Sequence, residues 1–214
     1  TGYGSMNSRH HIGPELQIGH RLGDHLKQPV LLIKTAWGGK SIYKDFRPPS
    51  AGGETGKYYQ KMFSEVNEAL ASYESEFPSL KGMKPMWGGF FWFQGWNDMF
   101  DENARAQYED NLVCLIKDVR KHLQQPLLPV VVGELGNMGE DAGTNMQMIR
   151  DAQRKACQRK EWKGRVSFVK TTEFARPKEE SPNVGHGHHW FGNAESYFLI
   201  GDALGKEMVR LLQR

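Results

Sequence analysis

Apolar residues along the chain fall into two alternating patterns, short continuous runs and longer stretches with helical spacing. Leu16, Gly19, Leu22 and Leu26 recur at helical intervals in "PELQIGHRLGDHL" (14–26), and Pro14 suits a first helical turn. "PVLLIKTAW" (29–37) is a short apolar run that ends in Gly38-Gly39 and predicts a strand. Apolar residues at intervals of three and four predict a helix over 58–73, a long amphipathic one over 103–123, another over 145–159 and a last one over 193–213. "GGFFWF" (88–93), "LLPVVVGEL" (127–135) and "RVSFVKTT" (165–172) predict the remaining strands.

Nearly continuous apolar strands separated by helices predict an α/β fold, with a mostly parallel sheet covered on both faces. Ligands of such sheets bind beyond the carboxyl ends of the strands. A long Pro/Gly-rich loop, "KDFRPPSAGGETGK" (44–57), is expected to shape a pocket rim there.

Composition narrows the class. With 214 residues, 38% hydrophobic and 25% charged, the chain suits one globular domain over 1–214. Its net charge of +3 is spread without a basic block, so nucleic acid is not implied as a partner. The apolar runs are too short and interrupted for a transmembrane helix, so no membrane partner is expected. Cys114 and Cys157 fall in predicted helices with no Cys-x-x-Cys or Cys/His ligand spacing, and they read as free, partly buried thiols, with a disulfide as the alternative.

Three strand-end segments carry candidate chemistry. In "TAWGGKSI" (35–42), Gly38 and Gly39 let the backbone approach a ligand closely and aim an N–H at a developing oxyanion, although a tight turn alone also calls for glycine. In "QGWND" (94–98), the Asn97 amide is a natural oxyanion donor, and the alternative is that Asn97 and Asp98 cap the next helix. In "SPNVGHGHHWFGNAESY" (181–197), His189 is a candidate general base. His186, His188 and His189, with His10 and His11, are the weaker candidate for a metal site, and solvated loop histidines are a third reading. Asn193 reads as a helix cap with Glu195 in the first turn.

Together "IGPEL" (12–16), "IKTAWGGKSI" (33–42), "FFWFQGWND" (90–98) and "HHWFGNAESYFLIGDALG" (188–205) resemble the SGNH hydrolases, in their sialate O-acetylesterase and acetyl xylan esterase branch. "QGWND" contains that superfamily's G-x-N-D block at Gly95, Asn97 and Asp98. The resemblance implies a three-layer α/β/α sandwich with a flavodoxin-like sheet and a carbohydrate O-acetylesterase of Ser-His-acid type. Its partner would be an acetylated carbohydrate, with no metal or other cofactor. It makes His189 the general base, Asn97 and the backbone at Gly38 or Gly39 the oxyanion donors, and Gln94, Trp96, Trp37, His188 and Trp190 the lining of the substrate pocket.

Two departures from the family pattern shape the expectations. The family's nucleophile lies in a glycine-serine block after a first strand, well ahead of the "IGPEL" helix. Ser5-Met6-Asn7 matches the end of that block in letters but not in spacing, so Ser5 stands as a weak candidate and Ser41 as a loop-supporting residue. The nucleophile and first strand are then expected upstream of Thr1, because a sheet lacking that interior strand exposes apolar edges. The family's acid, three residues before the histidine, is His186 here, which leaves Glu173, Glu179, Glu180, a backbone carbonyl or Asp98. A carbohydrate-binding relic without the serine is the alternative to an esterase. The compartment stays open; secretion or periplasmic location fits polysaccharide work.

Overall fold

A computed structural model of the protein describes residues 12–214. Five α-helices, α1 (Pro14–Leu26), α2 (Lys57–Glu76), α3 (Glu102–His122), α4 (Thr144–Cys157) and α5 (Ala194–Leu212), alternate with three strands. The strands are β1 (Phe90–Trp92), β2 (Val130–Gly133) and β3 (Val166–Val169), in the order β1-β2-β3. Both pairings are parallel, with Phe90 opposite Val130 and Val130 opposite Val166.

Alternation along the strands sorts the core into two layers. Val130 and Val132 pack with Leu112, Ile116 and Ile149 on the α3/α4 side, while Val131 packs with Ile18, Ile200 and Leu204 on the α1/α5 side. All four residues of β2 are buried, as expected of a central strand covered on both faces. The result is a three-layer α/β/α arrangement, as the apolar pattern predicted.

Helices α1 and α5 lie unusually close. A Cβ on Gly201 would stand 2.3 Å from the Pro14 carbonyl oxygen, so only glycine lets the two backbones meet there. Both cysteines are free thiols in helices, and burial pushes Cys157 up to about 12. No helix among the described residues is long and apolar enough to cross a membrane.

The strand expected over 29–37 does not form. Residues 31–37 alternate in exposure as a strand would, with Leu31, Ile33, Thr35 and Trp37 half-buried and Leu32, Lys34 and Ala36 exposed. Among the described residues, however, none offers the ladder of hydrogen bonds that defines a strand, and the sheet has three strands rather than four. Apolar periodicity reports which side chains face the core. Pairing requires a neighbour, which periodicity does not encode.

Candidate active site

The three strands end on the same edge, and the segments that follow them converge there. After β1, the chain turns through Gln94 to Asp98 into a short 3-10 turn, Asn97–Phe100. Asp98 is fully buried and accepts hydrogen bonds from the backbone N–H groups of Ile42 (3.1 Å) and Tyr43 (3.0 Å) and from Gln94 Nε2 (2.6 Å). Gln94 Nε2 also donates to the Lys40 carbonyl at 2.9 Å. Asp98 and Gln94 therefore fasten the glycine loop to the end of β1.

Burial pushes the Asp98 carboxyl up to about 6, against the pull of Gln94 and the two backbone donors. Since its ordinary value of 3.8 is lower, the stability linked to its proton is complete below that value and lost as pH rises through about 6. Asp98→Ala leaves the buried Ile42 N–H without its acceptor, and we expect a loss of about 2 kcal/mol in urea unfolding at pH 7. A stability within 0.5 kcal/mol of wild type (roughly the surface-substitution range) would deny Asp98 this fastening role.

Asn97 stands at the mouth of the turn, opposite the glycine loop. Gly39 adopts φ +69°, and a Cβ built there would lie 3.8 Å from Asn97 Nδ2. A left-handed glycine and a side-chain amide thus lie close together. Helix capping falls to a different residue: the Asp101 carboxylate accepts from the Ala104 N–H at 2.8 Å and caps α3. Asn193 does cap α5, as expected, through the Ser196 N–H at 3.2 Å.

The histidine loop reaches the same edge. Trp190 and Phe191 both occupy left-handed backbone, at φ 53° and 52°, a conformation costly for non-glycine residues. Tight bonding holds it. The N–H groups of His189 and Phe191 both donate to the His186 carbonyl, and Tyr197 Oη donates to the His189 carbonyl at 3.1 Å. Asn137 Nδ2 donates to the Gly187 carbonyl at 3.1 Å. The rings of His188 and His189 stand 4.4 Å apart, and His188 lies 5.6 Å from Trp96, which joins this loop to the "QGWND" turn. Burial, followed by the neighbouring His188, lowers His189 to about 4; burial also lowers His188.

Several expected site residues lie elsewhere. Trp190 is 4% exposed and stacks on Phe93 in the α1/α5 core, so it presents no face to a ligand. Trp37 packs on Tyr58 and Phe46 under the Lys61 ammonium rather than opening into a pocket. The Gln94 amide is engaged by the glycine loop. Ser41 supports its loop, as expected, since Oγ donates to Asp45 and accepts from the Lys44 N–H. Glu173, Glu179 and Glu180 are exposed, and Glu179 pairs with Lys178. Asn183 Nδ2 donates to His186 Nδ1 at 2.8 Å, at the position where the family places its acid. Ser5, His10 and His11 lie outside the described residues. Among the described residues no group of three His, Cys, Asp or Glu is arranged to hold a metal ion.

The buried polar frame behind this edge escaped the motif reading. Gln153 is fully buried; its Oε1 accepts from the Leu135 N–H, and its Nε2 donates to the Gln94 carbonyl, which Tyr108 Oη also bonds at 2.7 Å. Glu134 accepts from the Thr171 and Thr172 N–H groups and from Thr172 Oγ1, tying the end of β2 to the segment after β3. Arg150 donates to the Leu135, Asn137 and Gly139 carbonyls and so sets the loop from which Asn137 reaches the histidine segment. A Gln or Arg at a core-facing position of helix α4 was the signal that could have revealed Gln153 and Arg150.

Comparison with known proteins bears on the fold and the family. Among solved structures the chain is similar to a protein from Arabidopsis thaliana determined by X-ray at 1.6 Å, with a TM-score of 0.69 and 19% identity over 96% of this chain and 71% of that one. At that identity the likeness shows a shared fold. No curated protein matches the chain. Residues 3–210, nearly the whole length, match the family model described as carbohydrate esterase, sialic acid-specific acetylesterase, and the chain belongs to that carbohydrate esterase family.

Proposed function

We propose that the protein is a serine-type carbohydrate O-acetylesterase. The observation that carries the reading is the closeness of Gly39 and the Asn97 amide, at an edge where the histidine loop also arrives. In this reading a serine hydroxyl attacks the acetyl carbonyl and His189 takes its proton. Negative charge develops on the carbonyl oxygen, where Asn97 Nδ2 and the Gly39 backbone N–H receive it. Collapse of the tetrahedral intermediate breaks the bond to the sugar oxygen, which takes the proton from His189 and leaves as the free hydroxyl. Water then releases acetate by the same route.

A neutral imidazole is the form that accepts the serine proton, and a value of about 4 keeps His189 neutral across physiological pH. Trp96 lies half-buried beside His188, where a sugar ring could pack on it.

Inhibition tests the serine step. Hydrolysis of p-nitrophenyl acetate by the protein is expected to be abolished by a fluorophosphonate that labels one serine stoichiometrically, and to be unchanged by EDTA. Turnover lost to EDTA and indifferent to the fluorophosphonate would replace the serine with a metal-bound water. A folded protein that neither turns over esters nor takes up the probe would favour the carbohydrate-binding alternative.

A further inference from the structure

Helix α4 reaches both halves of the proposed site through two buried side chains. Arg150 and Gln153 lie three residues apart on one face of the helix and are 3% and 0% exposed. Both grip the same residue just beyond β2. Gln153 Oε1 accepts from the Leu135 N–H at 2.9 Å, and Arg150 Nε donates to the Leu135 carbonyl at 2.7 Å. From there their bonds diverge. Arg150 Nη2 donates to the Asn137 carbonyl at 2.8 Å and the Gly139 carbonyl at 3.0 Å, and Asn137 Nδ2 donates to the Gly187 carbonyl in the histidine loop. Gln153 Nε2 donates to the Gln94 carbonyl at 2.9 Å, while the Gln94 side chain bonds Lys40 and Asp98, which hold the glycine loop.

Filling a core does not call for this arrangement. A guanidinium is costly to bury unless its donors are used, and here they go to carbonyls on both sides of Met138. Met138 is itself left-handed, at φ 66°, a conformation costly for a residue with a side chain. Arg150 thus pins a strained turn, and Asn137 at the start of that turn bonds a second strained segment, the one holding Trp190 and Phe191. The other branch lies against the same helix. A Cβ built on Gly95, in the "QGWND" turn, would stand 2.9 Å from Ile149 Cγ2.

We propose that Arg150 and Gln153 are positioning residues, which through Asn137 and Gln94 set the histidine loop and the oxyanion turn in register with each other. A displacement of about 1 Å between catalytic groups can cost on the order of 10² in rate, so this register bears on turnover. The inference rests on the esterase reading for its effect on rate, and the frame itself is read out without catalysis.

The experiment compares the wild-type protein with Arg150→Lys, which keeps the charge but not the planar fork, with Gln153→Met, and with Asn137→Ala. Hydrogen–deuterium exchange is followed peptide by peptide, and hydrolysis of p-nitrophenyl acetate is measured in parallel. Arg150→Lys and Asn137→Ala are expected to speed amide exchange over 186–191 about tenfold, and Gln153→Met over 40–45, with α3 unchanged. In each variant kcat should fall about tenfold or more while KM stays within about twofold. Added to His189→Ala, the Arg150 and Asn137 substitutions should cost nothing further, because a residue that acts through the imidazole loses its effect with it. Should Arg150→Lys or Gln153→Met fail to fold, Asn137→Ala and Tyr108→Phe, which remove bonds to Gly187 and to the Gln94 carbonyl, decide the two branches by the same readouts. Exchange at the wild-type rate in both segments, exchange that rises uniformly along the chain, or a loss of kcat that persists in the His189→Ala background would overturn the proposal. A wild-type protein that hydrolyses no ester would instead count against the esterase reading, and local exchange would still decide whether α4 holds the two segments.

Discussion

Replacing His189 with alanine is expected to lower kcat for acetyl esters by at least ~10³-fold, the loss typical of removing the base from a nucleophile-base pair. The fold should survive. Backbone bonds hold the loop here: His189 N–H to the His186 carbonyl, Tyr197 Oη to the His189 carbonyl, and Asn137 Nδ2 to the Gly187 carbonyl. A variant with the wild-type melting temperature and a ~10³-fold slower turnover would place the imidazole in the chemistry. Turnover within threefold of wild type would remove His189 from the mechanism and leave His188, its neighbour at 4.4 Å, as the base.

The pH profile offers a second test of the same residue. With His189 as the base, kcat/KM should fall as pH drops through about 4, well below the ordinary value of 6.5. His188 is one cause of that depression, because a charge on either ring disfavours a charge on the other. In His188→Ala the acid limb should therefore move toward higher pH. An acid limb that stays in place would leave burial and the other neighbouring charges, His186 among them, responsible.

Helix periods and apolar runs carried most of the architecture, because burial on one face of a helix or both faces of a strand leaves a periodic trace. Pro14 opens α1 as its position suggested, and β2 reads as the continuous valine run of a central strand. The segment 29–37 shows where such reading stops: its side chains alternate like a strand, yet strand identity depends on a partner elsewhere in the chain. The site was legible in the same uneven way. Gly39 and Asn97 stood out only in combination with the histidine loop, since glycine and asparagine singly are ordinary turn and cap residues. Trp190 and Gln94 were misleading for a shared reason. An aromatic or amide next to a motif can face the ligand or face inward, and only three-dimensional packing decides. Trp190 turned inward onto Phe93, and Gln94 turned to Asp98. Gln153, Arg150 and Glu134 left almost no local signal, because each acts on backbone groups far away in sequence.

Asn97 is where the rival readings of the "QGWND" motif separate most cleanly. As an oxyanion donor, Asn97→Ala should cost ~10²–10³ in kcat with little change in KM, because the bond strengthens only as charge develops on the carbonyl oxygen. As a helix cap, it should instead cost about 1 kcal/mol of stability and leave kcat alone. Two observations speak against the capping outcome. Asp101 already caps α3, and the bonds that hold the glycine loop come from Asp98 and Gln94. Asn97→Asp sharpens the test, since a carboxylate of nearly the same shape would put negative charge where the oxyanion forms. Its kcat should be no higher than that of the alanine variant, even though it restores the bulk of the side chain. If the aspartate variant instead regained most of the wild-type rate, the role of Asn97 would be to fill space beside Gly39, and the oxyanion would have to be held by backbone N–H groups alone.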